Sequence, residues 1–149
     1  MVDPGGARVA AEEDYLFVYG TLRKAGSPQA LALLSQYCDY HAEAWVQGRL
    51  YEVAGYPGLV DSACPSDRVL GELYHVGGRL SVLAALDDYE ECSDHFPQPH
   101  EYIRCRRPVS LIDGAVVQAW IYLYNRDVGE LLSIPSGDYT AFLASSGDL

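Results

Sequence analysis

The 149-residue chain has few basic residues, with ten lysines and arginines against 21 aspartates and glutamates and a net charge of −11. This balance argues against nucleic acid or an anionic membrane as a partner, since both bind basic surfaces. Three of the basic residues lie close together in the sequence: Arg104, Arg106 and Arg107. Alternation along a strand places Arg104 and Arg106 on one face and Arg107 on the other. We interpret the cluster as a solvated strand face rather than a phosphate site.

Cysteine is scarce, and no two cysteines have the C-x-x-C spacing; they are Cys38, Cys64, Cys92 and Cys105. The sequence also lacks an apolar run long enough for a membrane helix and an N-terminal signal-peptide pattern. Together these absences favour a cytoplasmic protein with reduced thiols.

Several catalytic signatures are absent, which removes support for a serine hydrolase, a P-loop or dinucleotide-binding protein and a zinc protease. Zinc-type ligands do occur at Cys92, His95, His100 and Cys105. Structural zinc sites usually divide into two close pairs, and these four residues do not. We therefore expect no metal site, and keep a metal-binding or redox-responsive protein as one alternative.

The composition is that of a globular protein, with 49% hydrophobic residues and twelve tyrosines. So many tyrosines suggest strands with one buried face, whose hydroxyl groups reach polar neighbours or a pocket. Residues 1–14 contain Pro4, Gly5 and Gly6 and no apolar period, which predicts a flexible leader. Residues 15–149 are then expected to form a single domain.

Hairpins dominate the predicted elements, with six or seven strands and two or three short helices. The Asp113-Gly114 pair predicts a two-residue type I′ turn between strands 109–112 and 115–124. Gly48 lies within an extended stretch over 42–53, where it predicts a bulge or a close backbone contact. Further strands are predicted over 16–19, 59–60 and 69–76, interrupted at Gly71, and helices over 27–37, 79–90 and 136–145. The fold class is therefore α+β, a small mixed or antiparallel β-barrel with flanking short helices.

Gly20 ends the apolar strand over 16–19 abruptly and is followed by Thr21 and Leu22. A glycine at a strand end usually marks a turn. It also lets backbone N–H groups approach an anion, which a side chain at that position would block. The segment is thus either a plain turn or an anion-binding turn.

Glu90 lies at the C-terminal end of the predicted helix, among four acids within six residues. The helix dipole, the neighbouring acids and partial burial would all raise its pKa, as a general acid or base near neutral pH requires. Glu90 falls on the helical face of Leu83 and Leu86, whereas Asp88 falls on another face. Such an inward carboxylate is either functional or paired, for instance with Arg104, Arg23 or Arg49.

Several short motifs occur in a distinctive order along residues 15 to 145. They are YGTLR at 19–23, GRLY at 48–51, YP at 56–57, GELY at 71–74, LDDYE at 86–90, YIR at 102–104 and AWIY at 119–122, before Tyr124-Asn125. In this order the chain resembles the γ-glutamylcyclotransferase-like (AIG2-like) family. The resemblance implies a small β-barrel with flanking helices and a cavity at one end.

The resemblance also implies roles for individual residues. Backbone N–H groups of the turn formed by Tyr19, Gly20, Thr21 and Leu22 would hold the carboxylate of a γ-glutamyl substrate. Glu90, at the end of the LDDYE motif, would be the catalytic acid/base, and Tyr124 could stabilise the oxyanion.

The implied reaction is an intramolecular acyl transfer that gives 5-oxoproline and a free amine or amino acid from a small-molecule γ-glutamyl substrate. No cofactor is required, because the attacking amine belongs to the substrate itself. The alternative within the same fold is a non-catalytic module that binds a small ligand. The leaving group and the oligomeric state stay open at this point.

Overall fold

The structure is a computed structural model that describes residues 14–19, 32, 36, 38–53, 55–76, 80–89 and 97–147. Its strands are β1 (Tyr15–Val18), β2 (Asp39–Gln47), β3 (Arg49–Glu52), β4 (Pro57–Val60), β5 (Arg68–His75), β6 (Tyr102–Leu111), β7 (Val116–Tyr124) and β8 (Leu132–Ser133). Its helices are α1 (Leu80–Tyr89) and α2 (Tyr139–Gly147).

Five strands close into a barrel in the order β1-β5-β2-β6-β7. Neighbouring strands run antiparallel except where β1 meets β7, and that parallel pairing closes the barrel. Strands β4, β3 and β8 form a separate antiparallel sheet. The predicted α+β class, with a small mixed β-barrel and short helices, is confirmed.

Apolar residues pack in two layers, because successive side chains of a strand point to opposite faces. On β1, Phe17 belongs to the larger cluster inside the barrel, whereas Leu16 and Val18 belong to a second cluster on its outer face. Leu83 and Leu86 of α1 complete this outer cluster and are almost fully buried. The predicted inward face of α1 is therefore confirmed at both leucines.

Gly48 divides the stretch that the sequence predicts as one extended segment into β2 and β3. Its N–H donates to the carbonyl oxygen of Asp67 at 3.0 Å. A Cβ at Gly48 would lie 2.8 Å from the carbonyl oxygen of Val60, so the expected close backbone contact is present. Gly71, predicted to interrupt its strand, instead lies within an unbroken β5.

The hairpin between β6 and β7 is confirmed, but its loop is not the predicted two-residue type I′ turn. Leu111 N–H donates to Ala115 O at 2.8 Å, and Gly114 N–H donates to Leu111 O at 3.0 Å. Three residues therefore lie between the bonded pair, with Gly114 in the left-handed region at a φ of 94°. This pattern is a turn followed by a glycine bulge, which also places Asp-Gly in a hairpin loop.

Helix boundaries differ slightly from the sequence prediction. Helix α2 begins at Tyr139, after Asp138, whose carboxylate caps it by accepting from Ala141 N–H at 3.1 Å. Ala32 and Gln36 are helical, within the predicted helix over 27–37, whose start at Ser27 and Pro28 lies outside the described residues. In the part of the chain that the structure describes, no helix is long and apolar enough to cross a membrane.

Asp14, the last residue of the expected leader, is 7% exposed. Its carbonyl oxygen accepts from Val76 N–H at 2.9 Å, and its carboxylate lies 3.4 Å from the Arg106 guanidinium. Asp14 is therefore attached to β5 and β6. The preceding residues, 1–13, lie outside the described ranges.

Candidate functional site

The described residues include two of the six predicted site residues, Tyr19 and Tyr124. Gly20, Thr21, Leu22 and Glu90 lie outside the described residues. The structure does describe the elements that lead into them. Strand β1 and Tyr19 come directly before Gly20, and α1 ends at Tyr89, directly before Glu90.

Tyr19 is buried among the apolar residues inside the barrel, at 6% exposure. Its hydroxyl donates a hydrogen bond to the carbonyl oxygen of Tyr122 and accepts one from Leu59 N–H at 3.3 Å. Its ring stacks on Phe17 with 6.4 Å between centroids. The side chain thus anchors the end of β1 to β7 and β4.

Asp87, in the last turn of α1, is bound by two residues of the barrel wall. Its Oδ1 accepts from Arg104 Nε at 2.8 Å and from the Tyr122 hydroxyl at 2.7 Å. Its Oδ2 accepts from a terminal nitrogen of Arg104 at 3.0 Å. The side chains of Arg104 and Asp87 are 23% and 17% exposed, so this two-pronged ion pair is largely removed from water.

Arg104 and Arg106 share one face of β6, as the strand alternation predicts. The guanidinium carbons of both lie over the ring of Trp120, at 4.4 and 4.9 Å from its centroid. The predicted solvated face is wrong at Arg104, because α1 covers that end of the strand and supplies Asp87 as its partner. A candidate partner for Glu90 in the sequence thus binds the aspartate three positions earlier.

Tyr122 joins the two predicted halves of the site. Its hydroxyl donates to Asp87 at the end of α1, and its carbonyl oxygen accepts from Tyr19 at the end of β1. The parallel pairing of β1 with β7, with Leu16 opposite Trp120, brings the two strand ends to the same end of the barrel. Tyr122 therefore bonds a residue shortly before each of the two undescribed segments, those after Tyr19 and after Tyr89.

Tyrosine rings line the same end of the barrel. Tyr124, the last residue of β7, pairs across the ladder with Tyr102, and their centroids are 5.5 Å apart at an angle of 70°. Tyr56 lies 6.2 Å from Tyr102, whose hydroxyl donates to Pro57 O at 2.5 Å. Tyr124 is half-buried, and it is the predicted oxyanion donor.

Two of these hydroxyl groups keep their protons well above neutral pH. Burial raises the pKa of Tyr124, and the charge of Glu101 raises it further. Burial, followed by a hydrogen bond of 2.7 Å to Glu101, raises the pKa of Tyr56 to about 12. Both are therefore hydrogen-bond donors, not anions, under physiological conditions.

The zinc alternative finds no geometry in its described members. His100 and Cys105 belong to the loop before β6 and to β6 itself, while Cys92 and His95 lie outside the described residues. Across the described ranges, no three His, Cys, Asp or Glu side chains are grouped to hold a metal ion. A cavity of about 360 Å³ between β3, β8 and the start of β5 contains none of the predicted site residues.

Sequence reasoning missed the roles of Asp87 and Tyr122. Both residues lie in motifs noted above, LDDYE and AWIY, but the bonded pair is 35 positions apart. The alternation of side chains along β7 does predict that Trp120, Tyr122 and Tyr124 share one face. It does not predict which helix covers that face.

A comparison with family models matches residues 16–141 to the family described as "Gamma-glutamyl cyclotransferase, AIG2-like". The YtfP protein of Escherichia coli strain K12, a gamma-glutamylcyclotransferase family protein, is 31% identical over 125 residues, which are 83% of this chain and 94% of YtfP.

Solved structures agree with this assignment. The solution structure of YtfP from Escherichia coli superimposes with a TM-score of 0.57 at 28% identity, covering 84% of this chain and 95% of that one. An AIG2-like protein from Mus musculus has the same fold, with a TM-score of 0.61 at 24% identity over 78% of this chain and 80% of its own. The chain belongs to the AIG2-like gamma-glutamyl cyclotransferase family.

Proposed function

We propose that this protein is a cyclotransferase that converts a γ-glutamyl amine or γ-glutamyl amino acid to 5-oxoproline and a free amine, with Glu90 as general acid/base. One observation carries the proposal. Tyr122 bonds both to Asp87, three residues before Glu90, and to Tyr19, directly before Gly20. This shared partner supports the proposal that the segment expected to bind the substrate carboxylate and the segment with the expected acid/base serve one site.

The proposed reaction proceeds within the substrate. Its α-ammonium loses a proton to the Glu90 carboxylate, and the resulting amine attacks the γ-carbonyl carbon, forming the carbon–nitrogen bond of a five-membered ring. The amide bond to the leaving group then breaks as Glu90 returns that proton to the departing nitrogen. The ring nitrogen loses its second surplus proton to solvent, and the released amine takes one up from solvent to leave as an ammonium. The glutamate ends as it began, and the balance requires neither a cofactor nor a redox partner.

Binding and proximity supply much of the rate. Backbone N–H groups of Gly20, Thr21 and Leu22 would hold the substrate carboxylate, since N–H groups converging on a turn attract anions. The attacking amine and the carbonyl are then held within one short chain, as in other intramolecular reactions. The Tyr124 hydroxyl, which is protonated at neutral pH, would donate to the oxyanion.

The test is release of 5-oxoproline from a panel of γ-glutamyl amines and amino acids. Glu90→Gln should lower kcat by about 10²–10⁴-fold, the usual contribution of a general acid/base. Asp88→Asn is the matched control, because it neutralises an adjacent acid that the helical period places on another face; it should retain activity. Circular dichroism of each variant confirms that the fold is intact.

A non-catalytic binding module of the same fold makes the opposite prediction. In that case no panel member yields 5-oxoproline, yet calorimetry detects binding of γ-glutamyl compounds to the wild-type protein. Release that Glu90→Gln leaves unchanged would instead show that another group is the acid/base.

A further inference from the structure

We infer that Asp87, Arg104 and Tyr122 are positioning residues, which fix the last turn of α1 and thereby the point from which the chain continues to Glu90. The inference rests on the proposed function and adds to it the residues that align its two halves. None of the three is assigned contact with the reacting atoms. They act through the glutamate that follows α1.

The Asp87 carboxylate is held in three directions. Arg104 approaches with two nitrogens, at 2.8 and 3.0 Å, and the Tyr122 hydroxyl reaches Oδ1 at 2.7 Å. A guanidinium that binds both oxygens of a carboxylate fixes their common plane, which a lysine in its place could not do. The orientation of the aspartate is thus specified as well as its position.

The groups that hold Asp87 belong to two paired strands of the closed barrel. Arg104 and Tyr122 are directly opposite each other in the register of β6 and β7. The guanidinium of Arg104 also stacks on the ring of Trp120, two residues before Tyr122. Because both strands lie within a closed barrel, neither can slide without breaking a continuous ladder.

Apolar contacts alone would not fix the position of α1 along the barrel. Leu83 and Leu86 are buried against the outer face of the barrel, which fixes the side that α1 presents. Such contacts are non-directional and tolerate a sliding helix. The bonds to Asp87 are directional, and they act in the last turn, where Glu90 is three residues away, about one helical turn.

Tyr122 gives both halves of the site a common reference. Its carbonyl oxygen accepts from Tyr19, so the same residue fixes the end of β1 and the end of α1. A displacement of either end relative to the other would therefore strain a hydrogen bond to this one residue. Small displacements between an acid/base and its substrate cost about 10²-fold in rate, which is reason to fix both ends together.

The experiment compares kinetics of Asp87→Asn, Arg104→Lys and Tyr122→Phe with those of a control pair. Arg107 of β6 and Asp61, which directly follows β4, form a second two-pronged pair at 2.9 and 2.8 Å, outside the network on Asp87. Arg107→Lys and Asp61→Asn therefore repeat the same chemical changes where Glu90 is not involved. Each variant is assayed well below its own unfolding temperature.

We expect about 10- to 100-fold lower kcat in the three network variants, because a misplaced acid/base slows the reaction. KM should stay within about threefold of wild type. The control variants should keep both constants within about twofold. Arg104→Lys is decisive, since it preserves the charge and removes only the planar, two-pronged grip. Asp87→Glu should likewise fail to rescue kcat, because the longer side chain keeps the charge and changes the distance.

The pH profile separates positioning from a loss of folding. The acid limb of kcat/KM reports the pKa of the general base, here Glu90. Asp87→Asn removes a negative charge three positions before Glu90, so the limb should move to lower pH. Arg104→Gln should move it to higher pH. Tyr122 on β7 and the flanking Asp88 and Glu91 are unchanged in both variants.

The outcomes distinguish the two proposals. Activity in wild type that requires Glu90, with network variants no weaker than the controls, overturns this inference and leaves the proposed function intact. Equal losses in kcat from Arg107→Lys and Arg104→Lys also overturn it. An inactive wild-type protein overturns the proposed function first, and with it the role of the three residues.

Discussion

The guanidinium of Arg104 binds both carboxylate oxygens of Asp87, and the two residues come from a strand and a helix that are 17 positions apart in sequence. This pair attaches the last turn of α1 to the barrel. Its side chains are mostly buried, so removal of either partner takes away a charge-assisted pair in a poorly solvated place.

We therefore expect each single change, Asp87→Asn or Arg104→Gln, to lower the free energy of unfolding by about 2 kcal/mol. The double variant should lose clearly less than the sum, because it leaves no unpaired charge. Urea denaturation of the four proteins measures the coupling, expected at about 1–2 kcal/mol. Strict additivity would contradict a direct interaction.

Tyr19→Phe tests the anchor at the end of β1. The change removes the donor to the Tyr122 carbonyl and the acceptor of Leu59 N–H, both buried. We expect a loss of about 1–3 kcal/mol in the free energy of unfolding, the cost of removing two buried hydrogen bonds. Tyr15→Phe is the control on the same strand, where the structure gives the hydroxyl no hydrogen bond; it should change stability by less than about 0.5 kcal/mol.

Gly71→Ala tests the close approach of β5 to β1. A Cβ at this position would lie 2.3 Å from the carbonyl oxygen of Val18 and 2.6 Å from Cζ of Phe17. Backbone cannot yield as a flexible side chain can, so we expect about 3 kcal/mol of destabilisation. Gly129→Ala faces only the flexible Asp127 side chain, at 3.3 Å, and should be nearly neutral. Thermal unfolding of both variants gives the comparison.

The raised pKa of Tyr56 predicts that the free energy of unfolding falls at alkaline pH. Its pKa is about 12 in the folded protein and about 10 when unfolded, so between these values the folded state retains a proton that the unfolded state releases. Its contribution is complete below pH 10 and is lost as the pH rises towards 12. The free energy of unfolding should fall less steeply across this range in Tyr56→Phe than in wild type. Equal slopes would contradict the assigned environment of Tyr56.

Tyr124→Phe tests the proposed oxyanion donor. The substitution keeps the ring that packs on Tyr102 and removes the hydroxyl, so kcat should fall by about 10- to 100-fold with little change in stability. Tyr15→Phe again serves as the control, now for kinetics. An unchanged kcat in Tyr124→Phe would remove this residue from the mechanism.

Patterns of near neighbours were sufficient to predict most elements. Alternation and helical period indicated the β6–β7 hairpin and the buried face of α1, because these depend on residues a few positions apart. The errors are local too: Asp113-Gly114 suits more than one kind of hairpin loop, and the bonds around Leu111 decide between them. Gly71 predicted an interruption, yet its lack of a side chain is what lets β5 continue past Val18.

By itself, the sequence determined the α+β class, the barrel and, through its motifs, the family and the residues to test. Only the tertiary structure decided that Arg104 faces α1 rather than water, that it pairs with Asp87, and that Tyr122 bonds both Asp87 and Tyr19. The physical reason is that a motif specifies the side chains of one segment, whereas each of these hydrogen bonds joins two segments that are distant in sequence. Which segments meet across 17 or 35 positions is set by closure of the barrel and by the helix packed on its outer face.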